Sequence, residues 1–149
     1  EQQQLLLDAL HTTLPNLNLD ELNLGLYTME ETTLLNQLAV TYVRMDQPKK
    51  AIDIYSQLLK YVQKHYCEGM SWYAGKFALV THNYTRTLFM VRRYDDALDV
   101  AELGRKVCVE YAHYQFLPGL LDLIGGCYFY QGNVENAKNI IEMRTVFTK

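Results

Sequence analysis

The sequence predicts an all-α protein, a right-handed superhelical stack of antiparallel helix pairs with about seven to eight helices. Three observations lead there. Apolar residues recur at i, i+3, i+4 and i+7 through most of the chain, as in Leu121, Ile124, Gly125 and Tyr128. Short polar turns interrupt this pattern at Asp46-Gln47-Pro48, Arg92-Arg93-Tyr94-Asp95 and Gln131-Gly132-Asn133. Twelve positions separate a small residue before each turn from an alanine after it: Ala39 and Ala51, Thr85 and Ala97, Gly125 and Ala137. Nothing reads as strand, because alternating patterns are short and lie inside 3.6-period segments.

The elements follow in order. Gln2 to Thr13 carries Leu5, Leu6, Ala9 and Leu10 at helical spacing and is ended by Pro15. Asn18-Leu19-Asp20-Glu21 and Thr28-Met29-Glu30-Glu31 both have capping-box form, with Glu three residues after Asn or Thr. The first starts a short helix closed by Gly25, the second a longer one reaching Met45. Pro48 suits the first turn of the next helix, where its missing N–H has no helical partner anyway. That helix runs to Cys67, and Gly69 breaks the pattern. Helices from Trp72 to Val91, Tyr94 to His113, Leu117 to Tyr130 and Asn133 to Thr145 complete the chain. Residues 1–28 read as N-terminal capping helices on three helix-pair units at 29–67, 70–113 and 117–146, all within one repeat domain spanning 1–149.

Composition narrows the function. Of the residues, 49% are hydrophobic and 21% charged, ordinary proportions for a globular domain with a core. A net charge of −3 argues against a surface that grips nucleic acid. No apolar run approaches the about 20 residues of a membrane helix. The opening EQQQLLLDAL does not read as a signal peptide and lacks Met, so the chain reads as a domain excised from a longer protein. Cys67, Cys108 and Cys127 form an odd set with no pairing pattern, as expected of buried apolar residues in a reducing cytoplasm. His11, His65, His82 and His113 lack metal-ligand spacing, so no metal or other cofactor is expected. Glu30-Glu31 and Asp95-Asp96 sit at helix starts, where acids complement the helix dipole. With no phosphate loop and no nucleophile elbow, an enzyme is not expected. Tyr42, Tyr55, Tyr84 and Tyr128 fall on the apolar stripes and are expected to pack between helices.

The twelve-residue spacing, with Tyr42, Leu88 or Tyr128 three positions beyond the small residue, resembles the tetratricopeptide repeat. The steps from Ala51 to Ala97 and on to Ala137 are 46 and 40 residues, longer than the standard repeat, and a HEAT-like array of helix pairs is the alternative. In such a stack the first helix of each pair lines the concave wall. That wall reads as Asn36, Val40, Val43 and Arg44 from the first unit, and His82, Asn83, Arg86 and Phe89 from the second. The third supplies Asp122, Gly126, Phe129 and Tyr130. Amides both donate to and accept from a peptide backbone, arginines fork onto carboxylates, and Phe89 and Phe129 suit apolar side chains. The plainer reading is a solvated face on which Arg86 pairs with a neighbour such as Asp122.

Tyr94-Asp95-Asp96-Ala97-Leu98, Leu117-Pro118-Gly119-Leu120-Leu121 and Tyr130-Gln131-Gly132-Asn133-Val134-Glu135-Asn136-Ala137 carry a closer likeness. From Leu34 to Ile141 the chain resembles the C-terminal tetratricopeptide-like domain of bacterial regulators that begin with a lambda-repressor-type (XRE-like) helix-turn-helix. The relatives include peptide-pheromone sensors. The resemblance implies a cytoplasmic regulatory domain that forms a homodimer and binds a short peptide, with Asn36 and Asn83 matching groove asparagines. It would reach DNA only through a helix-turn-helix that this chain does not contain, and would not engage a membrane. The alternative function is a protein-interaction scaffold without a small ligand.

Overall fold

The computed structural model describes residues 1–65 and 71–146 of the 149-residue chain. Among them are seven α-helices and one 3-10 helix, and no strand, so the all-α reading holds. In order they are α1 (Gln2–Thr13), the 3-10 helix (Leu19–Leu24), α2 (Met29–Arg44), α3 (Pro48–His65), α4 (Ser71–Met90), α5 (Tyr94–Glu110), α6 (Leu117–Tyr130) and α7 (Val134–Val146). The predicted helix end at Cys67 and the break at Gly69 lie outside the described residues. By packing, the chain divides into two compact units, Glu1–Tyr66 and Cys67–Lys149.

Four of the turns share one design. The chain reverses after α2, α4, α5 and α6 through a residue in the left-handed region: Asp46, Arg92, Ala112 and Gly132, with φ of 58°, 64°, 52° and 80°. Each reversal is locked by a backbone bond from the residue after it to a carbonyl five positions back. These run from Gln47 to Tyr42, Arg93 to Leu88, His113 to Cys108 and Asn133 to Tyr128, at 2.8, 2.9, 2.9 and 2.8 Å. This is the Schellman closure, which satisfies carbonyls that a helix end leaves without partners. The recurring position Tyr42, Leu88 and Tyr128 thus supplies the locking carbonyl as well as a packing side chain. The same turn ends α5 at Glu110, three residues before the expected His113.

In the first unit α1 packs on α2, α2 on α3, and the 3-10 helix on α3. Ala39 and Ala51 are fully buried, with Tyr42 and Tyr55 beside them in the core. The capping box expected at Thr28 forms in full: Thr28 Oγ1 accepts from Glu31 N at 3.1 Å and Glu31 Oε1 accepts from Thr28 N at 2.8 Å. Glu31 Oε2 also accepts from the Thr13 hydroxyl, tying α1 to α2. These bonds, led by that of Thr13, hold the carboxyl below its ordinary pKa. The box expected at Asn18 forms only by half. Asn18 Oδ1 accepts from Asp20 N at 3.0 Å, but Glu21 leaves helical geometry (φ −132°), and the segment tightens into a 3-10 helix. That helix is clamped by α3, where Gln57 accepts from Leu22 N and donates to Leu19 O, both at 2.7 Å. Tyr61 Oη likewise accepts from Tyr27 N at 2.8 Å and donates to Tyr27 O at 3.1 Å.

In the second unit α4 pairs with α5 and α6 with α7, while α6 also packs on α5 and α4. Thr85 and Ala97 are fully buried and Ala137 nearly so. Gly125 lets α7 close in: a Cβ there would lie 3.5 Å from Ile140 Cγ2. At Gly104 a side chain would run into Thr81, so α5 meets α4 almost backbone to side chain. Around these crossings Ala78, Ala101, Leu120, Leu121, Ile124 and Ile140 form the core. Cys108 belongs to it and Cys127 is buried as well, and burial pushes each thiol up to about 11, as expected of cysteines that pack rather than react. Tyr84 and Tyr128 are half-buried rather than enclosed.

The turns give a stability test. A side chain in the left-handed region costs about 1 kcal/mol relative to glycine. Arg92→Gly is therefore expected to stabilise the chain by about 1 kcal/mol and Gly132→Ala to destabilise it by a similar amount, read from urea unfolding midpoints.

Candidate functional site

The first unit contributes less wall than its sequence suggests. Asn36 is only 2% exposed and does not face solvent. Thr32, Leu35, Asn36, Leu38 and Ala39 are all buried because α2 is covered by α3 on one side and by α1 on another. Val40 and Val43 are half-buried, and Arg44 projects, exposed, from the last turn of α2.

In the second unit α4 and α6 run side by side, and two α4 side chains settle onto glycines of α6. His82 Nε2 lies 2.7 Å from where a Gly119 Cβ would be, and Phe89 Cε1 lies 2.9 Å from the same point on Gly126. Both pairs are spaced by seven residues, two helical turns, so side chain and gap stay in step along the seam. His82 and Phe89 are therefore packing residues first, and only their edges reach the surface. Between them on the same helix Arg86 is exposed and makes no ion pair with any described residue. Asn83 is half-buried beside it, its Oδ1 3.4 Å from His82 Nδ1, within reach of a hydrogen bond when that nitrogen carries the proton. Burial, and to a lesser degree the Arg86 charge, hold the His82 pKa below its ordinary 6.5, against the opposing Asn83 contact.

Aromatic rings gather at the far end of the seam. Phe89, Tyr94 and Tyr130 form a triangle with centroids 5.5 to 5.8 Å apart, in which Tyr94 and Tyr130 stack within 6° of parallel. Phe129 stands edge-on to Tyr130 at 5.5 Å. Phe89, Met90, Arg92, Tyr94 and Tyr130 line a cavity of about 490 Å³. The structure thus brings His82, Asn83, Arg86, Phe89 and Tyr130 onto one strip of α4 and α6. Asp122 does not join it as a partner of Arg86. Its Oδ1 accepts from Arg144 Nε at 2.6 Å, a bond that faces α7.

A second concavity was not foreseen from the sequence. Leu103, Val109, Leu117, Leu121 and Met143 line an apolar groove of about 770 Å³ between α5, α6 and α7. Its rim carries Arg105, which donates to Glu102 at 2.8 Å and touches the Met143 sulfur at 3.5 Å. The available signal was Leu103 and Val109, apolar residues of α5 that lie off its buried stripe and are 41% and 55% exposed.

Comparison with known proteins adds two findings. A family profile described as the RNPP family C-terminal domain matches residues 4–142. A crystal structure of PlcR from Bacillus thuringiensis, in complex with the peptide PapR7 and DNA, has the same fold, with a TM-score of 0.77 at 17% sequence identity. The match covers 99% of this chain and 49% of the PlcR chain, so this chain spans about half the length of that protein. No curated protein matches. No helix among the described residues is long and apolar enough to cross a membrane.

The seam predicts a titration. The folded His82 binds its proton less readily than the unfolded chain does, so its contribution to stability is full above pH 6.5 and is lost as pH falls through the folded pKa. Arg86→Gln removes one cause of the depression and is expected to move the His82 ring resonances to a higher midpoint in an NMR titration. An unchanged midpoint would place Arg86 away from the seam.

Proposed function

The chain belongs to the RNPP C-terminal domain family, and from that premise we propose that it is the peptide-sensing, dimerising regulatory domain of a cytoplasmic transcription regulator. Its work is binding rather than catalysis. DNA would be reached through a helix-turn-helix carried elsewhere in the whole protein. The fold shared with PlcR, whose structure holds a peptide and DNA, supports this reading. Within the chain it rests on one observation, the exposed Arg86 guanidinium on the α4–α6 seam with no ion-pair partner among the described residues.

A guanidinium presents a planar fork that fits a carboxylate with two parallel hydrogen bonds. Arg86 receives the peptide's terminal carboxylate or an acidic side chain, while Asn83 offers its amide to the peptide backbone. Phe89, Phe129 and Tyr130 receive apolar side chains, with Phe129 and Tyr130 61% and 63% exposed. A peptide laid along the seam touches α4 and α6 at once. It therefore favours whichever spacing of those two helices it fits best, and differential affinity of this kind is what shifts a conformational equilibrium. The second reading, a scaffold for a protein partner, draws on the α5–α7 groove, which is larger and mostly apolar in its lining.

The test uses a pool of synthetic heptapeptides with free C-termini. Arg86→Ala is expected to weaken binding about tenfold or more, the scale of a charged hydrogen bond. Amidated peptides should reproduce that loss on the wild-type chain, and Arg44→Ala in the first unit should leave affinity alone. Binding unchanged by Arg86→Ala, with helicity intact by circular dichroism, contradicts the seam as the peptide seat.

A further inference from the structure

The cavity at the far end of the seam is walled by groups that respond to a π system and not only to apolar surface. Phe89 stands in the last turn of α4, Tyr94 opens α5 and Tyr130 ends α6. Phe89 meets Tyr94 and Tyr130 edge-on, at 61° and 63°, so ring faces and ring edges are both presented. Met90 and Arg92 complete the lining of this cavity of about 490 Å³, a size within the range of small-ligand sites. Its walls are thus built by α4, α5, α6 and the α4–α5 turn, and not by α7, the last described helix.

Charge marks the occupant. Arg93 donates to Asp96 at 2.9 Å and Asp95 accepts from Gln131 at 2.5 Å, so the charges beside the cavity have partners. Arg92 is exposed and makes no ion pair with any described residue. A guanidinium is drawn to the negative face of an aromatic ring, a thioether sulfur to its edge, and rings pair with one another edge to face. An aliphatic side chain placed here gains its buried area alone, whereas an aromatic one gains all three contacts besides. We propose that this cavity selects an aromatic side chain of the bound peptide and that Arg92 sets the preference. The inference rests on the peptide-sensing reading above and adds to it a residue class and a register. Phe89 lies one turn beyond Arg86, about 5 Å along α4, and the cavity continues past it to Arg92. An extended peptide advances about 3.3 Å per residue, so its aromatic residue stands within about three residues of the carboxylate that Arg86 holds.

The test compares heptapeptides with free C-termini that carry phenylalanine or cyclohexylalanine, scanned over the three positions before the last residue. The two side chains have nearly the same shape, and only phenylalanine has a π face. At the best position the wild-type chain should bind the phenylalanine peptide about fivefold more tightly. Arg92→Gly keeps the turn, because its φ of 64° is one that glycine adopts freely, and should bring that ratio to within twofold of unity. A wild-type chain that binds both peptides equally, or a preference that survives Arg92→Gly, overturns the inference. If Arg86→Ala still weakens binding in that case, the seam stands as the peptide seat and only the aromatic selection falls. Peptide binding indifferent to Arg86→Ala overturns both.

Discussion

Small side chains at the helix crossings are the constraint on which the rest depends. Ala39, Ala51, Thr85 and Ala97 are fully buried, and Gly125 and Ala137 occupy the same places in the last pair. Each side chain removed from a crossing lets two helices approach until the larger residues beside them interlock, and interiors packed this densely leave little room to substitute. Thr85 shows how strongly volume governs the position. Its hydroxyl is buried with no hydrogen-bond partner among the described residues, so the position is governed by size rather than by polar pairing. The same economy of volume shapes the candidate site, since His82 and Phe89 can lie flat across α6 only because Gly119 and Gly126 leave them room.

Function follows from what this packing leaves at the surface. Once His82 and Phe89 are spent on the seam, Arg86 stands between them as an exposed charge on a rigid helix. The aromatic triangle fixes the far end of the strip. Rigid support of this kind holds a recognition group in place before a ligand arrives, which reduces the ordering cost of binding. The apolar groove on the α5–α7 side is a separate surface of the same unit. One small helical unit therefore carries both a fixed, exposed charge and an apolar concavity.

Much of this was legible in the sequence because the cues were local. The 3.6-residue period located the helices, and the Thr28–Glu31 spacing located a capping box that forms in full. The twelve-residue offsets located the crossings, and Tyr42, Leu88 and Tyr128 marked the turns. Contacts between distant segments were harder to read. Asn36 looked like a groove amide because nothing in α2 announces which of its faces the neighbouring helices bury. Asp122 looked available to Arg86, whereas its partner Arg144 is on the following helix. The seven-residue spacing shared by His82 and Phe89 with Gly119 and Gly126 was present throughout, but it acquires meaning only once α4 and α6 are known to be neighbours. Asn18 failed as a full capping box because the tertiary clamp by Gln57 on Leu19 and Leu22 favours a tighter helix over the regular one.

The close approach of paired helices can be measured directly. A Cβ built at Gly125 lies 3.9 Å from Ile140 Cβ, close to the spacing a disulfide bridge prefers. In a chain whose three native cysteines are replaced by alanine, Gly125→Cys combined with Ile140→Cys should form an intramolecular disulfide under mild oxidation, identified by peptide mapping in a mass spectrometer. A doubly substituted chain that retains its helicity yet keeps both thiols free would show that α6 and α7 do not cross at Gly125, and would contradict the account at its root.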